Sequence, residues 1–211
     1  MIEAVVFDFG GVLTQPFLPA VVRAATEAGL DPIRLGSLLQ PMFAGAEDTD
    51  LPAHRLERGE ITLEAFFGSL GDGEAAARTL LDPTSPFFVL ARLRPHEGML
   101  AFSREAHASG RQTAILTNDA IEWRPAWDAV IGPATQFEHV VRSSLLGIRK
   151  PDPRAYASVI DRLGVDAGEC VFIDDFAPMA AAGRAAGMHA IHLVDHDAGI
   201  TEARRLLGLA R

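Results

Sequence analysis

Short apolar runs rich in β-branched residues alternate along the chain with longer, alanine-rich stretches of helical periodicity. This alternation is typical of a parallel sheet that is covered by helices. Continuous apolar runs are expected where both faces of a strand are buried. The runs that predict strands are Ala4–Phe7, Gln112–Leu116, Glu138–Val141, Cys170–Ile173 and His189–Val194. The pattern therefore predicts an α/β fold with a parallel sheet.

Glycines mark the ends of the helices that the periodicity predicts between these strands. A glycine directly after a helix readily adopts the left-handed conformation that ends it. The predicted helices and their glycines are Glu97–Ser109 with Gly110, Pro153–Leu163 with Gly164, and Pro178–Ala186 with Gly187.

The stretch between the first and second predicted strands has helical periodicity and no convincing strand. Its apolar positions recur at helical spacing in three groups: Val21, Val22 and Ala25; Leu35, Leu38 and Leu39; Leu63, Phe66, Phe67 and Leu70. We therefore predict that residues 14–95 form a separate helical domain, called the insert below. Residues 1–13 and 96–211 would form the core domain.

Composition narrows the range of partners. The 211 residues carry a formal net charge of −9, so the basic face that a nucleic acid or an anionic membrane requires is not expected. The single cysteine, Cys170, cannot form an internal disulfide, which favours a reducing compartment. The sequence has no run of about 18 apolar residues and no signal-peptide pattern at its start. We expect a cytoplasmic protein.

Polar clusters follow three of the predicted strands where each strand ends: Asp8, Thr117–Asn118 and Asp174–Asp175. Ligands bind beyond the carboxyl ends of the strands in an open parallel sheet, so these side chains could build one site. Carboxylates hold Mg²⁺, and an aspartate can act as a nucleophile towards phosphorus. Lys150, in a loop before a predicted helix, could stabilise the charge of a transferring phosphoryl group.

Each of these clusters also has a purely structural interpretation. Asp8 could be a turn residue or a helix cap, and Thr117–Asn118 could be an ordinary turn. Asp174–Asp175 could cap the helix that follows, and Lys150 could simply be exposed. Two adjacent like charges at a strand end are unfavourable unless a cation or water offsets them, which favours the metal-site interpretation.

Four motifs in this order resemble those of the haloacid dehalogenase (HAD) superfamily. They are Val6–Leu13, Ile115–Asn118, Lys150–Pro153 and Phe172–Asp175, and the resemblance extends from Ile2 to Leu207. The segments Gly59–Thr62 and Gly147–Leu163 are most similar to the amino-terminal phosphatase domain of soluble epoxide hydrolase. They also resemble the HAD-like domain fused to certain acyl-CoA dehydrogenases. The resemblance implies a Rossmann-like core with strand order 5-4-1-2-3 and an α-helical cap inserted after the first motif.

The resemblance also implies a Mg²⁺ site. Asp8 and Asp175 would be carboxylate ligands, and Gly10 would contribute its backbone carbonyl. Asp174 would be a further ligand or would lie next to one.

The same resemblance implies how a phosphoryl group is handled. Asp8 would be the nucleophile, and Lys150 would stabilise both the phosphate and the Asp8 carboxylate. Thr117 and Asn118 would bind the phosphate, together with backbone N–H groups of the glycine turn at Gly11.

Gly10 departs from the pattern of the family's phosphatases. They usually carry a second aspartate here, as general acid for the leaving alcohol and base for the attacking water. Losing such a group costs on the order of 10²–10⁴ in rate. A substrate with a good leaving group, an acid from the insert (His54, Glu57 or Glu60) or weak activity would each account for it. Met179 is a second departure, since related sequences usually have asparagine there.

The sequence thus predicts an enzyme, a Mg²⁺-dependent HAD-type hydrolase that acts on a small phosphate monoester through an aspartyl phosphate at Asp8. Two alternatives stay open. A 2-haloacid dehalogenase-like hydrolase would suit Gly10 but needs no metal. A catalytically silent domain would bind a phosphorylated metabolite or a partner protein. The sequence does not indicate an oligomeric state.

Overall fold

A parallel five-stranded sheet forms the centre of the computed structural model, which describes residues 1–33, 35–36, 47–131 and 136–209. The strand order is β3-β2-β1-β4-β5, which is the predicted order 5-4-1-2-3 seen from the other edge. The α/β fold class is therefore confirmed. The strands are β1 (Ala4–Phe7), β2 (Gln112–Thr117), β3 (His139–Arg142), β4 (Cys170–Asp174) and β5 (His189–His192).

Helices of the described residues connect these strands. They are α1 (Phe17–Glu27), α2 (Pro52–Glu57), α3 (Leu63–Gly68), α4 (Glu74–Leu81), α5 (Glu97–Ala108), α6 (Arg124–Ile131), α7 (Ser143–Leu146), α8 (Pro153–Leu163), α9 (Ala177–Ala185) and α10 (His196–Leu207). The glycines after α5, α8 and α9 all have positive φ, as predicted. Within the described ranges, no helix has the length and apolar character needed to cross a membrane.

β2 and β4 each end one residue later than predicted, and pairing along the ladder explains the larger differences in β5 and β3. The fifth strand ends at His192 instead of Val194, because its partner β4 ends at Asp174, which pairs with His192. The third strand covers His139–Arg142, one residue later than predicted, because Arg142 pairs with Thr117 at the end of β2.

Apolar side chains cover both faces of the sheet, as the continuous runs predict. In β1, Val5 and Phe7 pack into one apolar cluster together with residues of α5 and α10. Ala4 and Val6 point the other way and pack with residues of α8. Full burial of a Val or Phe side chain contributes roughly 1.5–3 kcal/mol, so β1 is a central source of stability.

The predicted ends of the insert meet beside the sheet. Thr14 and Pro95 form an isolated antiparallel bridge, and the His96 amide donates to the Leu13 carbonyl at 2.8 Å. Helices α1 to α4 lie between these two points. We keep the division into core and insert as a proposal, since one apolar cluster runs through both. Leu38 and Leu39, predicted as part of a helix, lie outside the described residues.

Candidate active site

Strand register places two aspartates side by side at the carboxyl edge of the sheet. Phe7 pairs with Ile173 in the parallel ladder of β1 and β4, and the Asp8 amide donates to the Ile173 carbonyl at 2.8 Å. The next residues, Asp8 and Asp174, therefore leave the ladder at the same level. This edge is where open α/β sheets bind ligands.

Lys150 joins these two carboxylates. Its Nζ donates to Asp8 Oδ1 at 2.8 Å and to Asp174 Oδ2 at 2.6 Å, and its side chain is buried. Burial alone would lower the pKa of Lys150, but Asp174 and Asp8 outweigh burial and raise it. Lys150 is the only lysine among the 19 lysines and arginines of the sequence. Its ammonium is a compact point charge that donates to both carboxylates at once.

The loop that carries Lys150 is held by Asn118. The Asn118 side-chain oxygen accepts from the Lys150 amide at 2.8 Å, and its side-chain nitrogen donates to the Lys150 carbonyl at 3.0 Å. Asn118 thus positions the lysine in this structure. A cavity opens at this edge of the sheet and is bordered by Asp8 and Lys150. Thr117 is buried at the end of β2 and borders the same cavity.

A compact turn, Phe9–Leu13, follows Asp8, and its backbone is not helical at Gly10 and Gly11. Gly11 has φ of 78°, and a Cβ added there would collide with Asp175 Oδ2, so this position requires glycine. The Gly11 amide donates to the Thr14 hydroxyl at 3.0 Å, which leaves it engaged within the turn. Gly10 has φ of −68° and ψ of 123°, values that any residue adopts.

Asp8, Asp174 and Asp175 form a carboxylate cluster. Each offers an oxygen within 4.8 Å of the others. Burial and the Asp174 charge raise the pKa of Asp8 to about 6 against the opposing effect of Lys150. Asp175 keeps an exposed edge, but desolvation of its carboxylate within the cluster, together with the Asp8 and Asp174 charges, raises its pKa to about 7. One ammonium does not neutralise three carboxylates, so the cluster favours a further cation.

This donor set fits Mg²⁺. The ion prefers carboxylate and other hard oxygen ligands and usually binds through one or two carboxylates while keeping several waters. Asp175 is exposed, whereas both oxygens of Asp174 already accept hydrogen bonds, from Lys150 and from the Phe176 amide at 2.8 Å. Asp8 and Asp175 are thus the carboxylates best placed to share a cation, and Asp174 supports them.

The turn after Asn118 is fixed by a buried acid. Asp119 accepts from the Ser144 hydroxyl at 2.7 Å and from Arg142 Nη1 at 3.0 Å. Burial raises the pKa of Asp119, while Ser144 and Arg142 act against this effect. These contacts tie the ends of β2 and β3 together beneath the site.

Arg149 is a residue of the site that the sequence interpretation missed. Its buried guanidinium borders the cavity next to Lys150, and Nε donates to Glu57 Oε2 of the insert at 2.6 Å. Its Nη1 is buried without a hydrogen-bond partner among the described residues and lies 3.6 Å from Asp48 Oδ1. The only signal in the sequence is that Arg149 directly precedes Lys150.

Only one of the three candidate acids of the insert lies at the site. Glu57 borders the cavity that holds Asp8, and burial raises its pKa although Arg149 opposes this. His54 is buried near Asp48, and Glu60 pairs with Arg58 at the surface. Neither belongs to the described lining of the cavity.

Replacing Glu57 by Ala is expected to lower the free energy of unfolding by about 3–5 kcal/mol, because the Arg149 guanidinium would stay buried without its closest carboxylate. The double variant E57L/R149M is expected to recover most of that loss. Urea unfolding measures both. Glu60→Ala is the control, since exposed ion pairs contribute about 1 kcal/mol or less. Equal unfolding midpoints for Glu57→Ala and Glu60→Ala would contradict the stabilising role given to the buried Glu57–Arg149 pair.

The sequence was compared with known protein families. A family profile described as haloacid dehalogenase-like hydrolase matches residues 2–187. The chain belongs to this family. The resemblance inferred from the four motifs is therefore confirmed, and the protein is a hydrolase of the HAD type.

Relatives with phosphatase names are among the similar curated proteins. The sesquiterpene phosphatase astK of Aspergillus oryzae is 29% identical over 98% of this chain and 97% of its own length. Mouse acyl-CoA dehydrogenase family member 10 is 29% identical over 98% of the chain, which spans 19% of that protein. Rat bifunctional epoxide hydrolase 2 is 25% identical over 96% of the chain, which spans 38% of the enzyme.

Solved structures share the fold. A predicted HAD-like hydrolase from Porphyromonas gingivalis superposes with a TM-score of 0.72 at 21% identity, covering 98% of both chains. A HAD family enzyme from Bacteroides thetaiotaomicron, in complex with magnesium and inorganic phosphate, has a TM-score of 0.61 at 19% identity over 89% of this chain and 92% of its own. L-2-haloacid dehalogenase from Xanthobacter autotrophicus has a TM-score of 0.63 at 20% identity over 100% and 85%.

Proposed function

We propose that this protein is a Mg²⁺-dependent phosphatase that cleaves small phosphate monoesters through an aspartyl phosphate on Asp8. The proposal rests on one observation. Lys150 Nζ bridges Asp8 and Asp174 at the carboxyl edge of the sheet, with Asp175 completing the cluster. A nucleophilic carboxylate, a fixed ammonium and a carboxylate set suited to Mg²⁺ are the groups that phosphoryl transfer requires.

One relative supports phosphatase chemistry, whereas the solved structures, which include both a magnesium–phosphate complex and a dehalogenase, show the fold alone. One relative that covers the full chain is named as a phosphatase. The related fold from Bacteroides thetaiotaomicron was solved with magnesium and inorganic phosphate. Both facts describe those proteins and agree with the carboxylate cluster of this one.

Asp8 and Asp175 would hold the ion, together with the Gly10 carbonyl, and Asp174 would orient Lys150. When bound, Mg²⁺ would neutralise part of the charge of the phosphate oxygens and of the carboxylates. Because ionised carboxylates bind the ion better, its presence is expected to lower the raised pKa values of Asp8 and Asp175.

The residues of the chain would carry the two steps as follows. An oxygen of the Asp8 carboxylate attacks phosphorus, and the bond from phosphorus to the leaving oxygen breaks. Lys150 stays within reach of the charge on the transferring group, and Thr117 borders the space that this group would occupy. Water then attacks phosphorus of the aspartyl phosphate, which releases inorganic phosphate and restores the Asp8 carboxylate.

Gly10 supplies no proton to the leaving oxygen. Glu57 borders the cavity but is held by Arg149, so the leaving alcohol would take its proton from water. The rate should therefore depend steeply on how acidic the leaving alcohol is.

Phosphate release from p-nitrophenyl phosphate tests the proposal. We expect turnover with Mg²⁺ and its loss after removal of the metal with EDTA, restored by added Mg²⁺. Turnover that persists without any divalent cation would contradict the mechanism. Halide release from 2-chloropropionate would favour the dehalogenase alternative, and tight binding of phosphate analogues without turnover would favour the silent domain.

Replacing Gly10 by Asp is expected to raise the turnover of alkyl phosphates by up to about 10²-fold and that of p-nitrophenyl phosphate much less, since only the poor leaving group needs an acid. A Cβ at this position has room, because among the described residues it would meet only Trp127, at 3.9 Å. Gly11→Ala is the control and is expected to lose activity, because its Cβ would collide with Asp175. Unchanged turnover of alkyl phosphates by Gly10→Asp would contradict the role given to Gly10.

A further inference from the structure

A cavity of about 570 Å³ opens directly above the carboxylate cluster. This volume is in the range of sites that enclose a small organic ligand. Most of its described lining is apolar and comes from the insert and from the helices beside the site. The apolar lining consists of Pro16, Phe17, Leu18, Val21, Val22, Pro32, Leu35, Leu81, Leu90, Trp123, Trp127, Phe176 and Met179.

The charged groups of the described lining lie in two places. Asp8, Lys150, Asp174 and Asp175 form the cluster that would hold the phosphate and the metal. The others, Glu57 and Arg149, neutralise each other across a 2.6 Å hydrogen bond.

Few side-chain polar groups are left in that lining for a substrate. The Asn118 amide is used on the backbone of Lys150. The Trp123 indole N–H donates to the Leu81 carbonyl at 3.0 Å. The Trp127 indole N–H and Arg149 Nη1 have no hydrogen-bond partner among the described residues, so the lining offers two further donors. The several hydroxyls of a sugar or the base of a nucleotide would still lose more hydrogen bonds to water than these two donors replace, which is costly.

The outer part of α1 extends this apolar wall to the surface. Leu18 and Val22 border the cavity, yet 66% and 42% of their surfaces are exposed. Apolar side chains that line a cavity and stay exposed indicate a ligand or partner that covers them. Their continuity with the phosphate-binding end of the cavity indicates one ligand that reaches both.

We propose that the substrate is a phosphate monoester whose alcohol is a hydrocarbon chain or hydrocarbon ring system. Its phosphate lies at Asp8 and Lys150, and its apolar part lies along Leu18 and Val22 of α1. This inference rests on the proposed phosphatase function, because it assigns the phosphate to the carboxylate cluster. Leu18 and Val22 are then residues that determine specificity.

Binding of straight-chain alkylphosphonates of increasing length tests the inference without any turnover. Calorimetric titration with Mg²⁺ present is expected to show affinity rising about threefold to fourfold for each added methylene until the cavity is filled. The head group is the same throughout the series, so the trend isolates the contribution of the tail. Glucose 6-phosphate is expected to bind more weakly than hexylphosphonate.

Two double variants, whose replaced side chains are equally exposed, test whether the dependence on chain length comes from α1. L18Q/V22Q is expected to flatten the dependence on chain length. L145Q/V140Q is the control, since Leu145 and Val140 are 65% and 41% exposed and lie outside the described lining. The control is expected to keep the full dependence. An equal loss in both double variants would overturn the assignment to α1.

The outcomes separate the inference from the function on which it rests. Equal affinity for short and long phosphonates, or tighter binding of glucose 6-phosphate, would overturn the inference while p-nitrophenyl phosphate turnover left the phosphatase function standing. Chain-length dependence without any turnover of p-nitrophenyl phosphate or alkyl phosphates would support the apolar site and contradict the phosphatase function.

Discussion

Replacing Asp8 by Asn is expected to lower phosphate release at least about 10³-fold, because the neutral amide is no longer a nucleophile towards phosphorus. The fold is expected to persist, since the amide has nearly the same shape and removes one of three clustered negative charges. Without added metal, the thermal unfolding temperature should therefore equal or exceed that of the unchanged protein. Steady-state kinetics and thermal unfolding of the same sample measure both effects.

Asp161→Asn is the control for this substitution. Asp161 is exposed on α8, away from the carboxylate cluster, and its replacement should leave turnover unchanged. Asp8→Asn that keeps a tenth or more of the activity would contradict the assignment of the nucleophile. A large loss in Asp161→Asn would show that the assay reports general damage.

Replacing Lys150 by Met is expected to lower kcat/KM by about 10²–10³-fold, the size found for losing one preorganised stabilising group. The protein should also lose stability without metal, because the carboxylates would keep no ammonium among them. Added Mg²⁺ should therefore raise the unfolding temperature of this variant more than that of the unchanged protein. Lys150→Arg is expected to restore little activity, since it replaces a compact ammonium by a larger planar group at a buried position.

The single lysine gives this prediction a direct spectroscopic readout. Protein grown with lysine carrying ¹³C at its ε carbon should show one side-chain signal, which belongs to Lys150. We expect that signal to shift when Mg²⁺ and inorganic phosphate are added together. A signal that is insensitive to both, or full activity in Lys150→Met, would contradict the role of the bridge.

The sheet and the position of the cluster could be predicted because both follow from local pattern. Buried parallel strands are continuous apolar runs, and the abrupt change to polar residues at Asp8 and Asp174 marks where the strands end. Parallel register then brings these ends together without further information. The left-handed glycines after α5, α8 and α9 follow from the same local rules.

Contacts between distant segments could not be predicted in this way. Glu57 and Arg149 are 92 residues apart, and nothing in the local pattern of either shows that they meet. The engagement of Asn118 with the Lys150 backbone likewise depends on where a loop packs. The apolar cavity was missed because its wall is built from separate segments, and a helical apolar stripe such as that of α1 normally indicates core packing.

Trapping the covalent intermediate tests the central claim most directly. The protein would be quenched during turnover of p-nitrophenyl phosphate with Mg²⁺ and treated with borohydride, which reduces an acyl phosphate to a stable alcohol. Peptide mass spectrometry is expected to find homoserine in place of Asp8, and to find none in Asp8→Asn. Steady turnover with Asp8 unmodified, or with the modification on another carboxylate, would contradict the account.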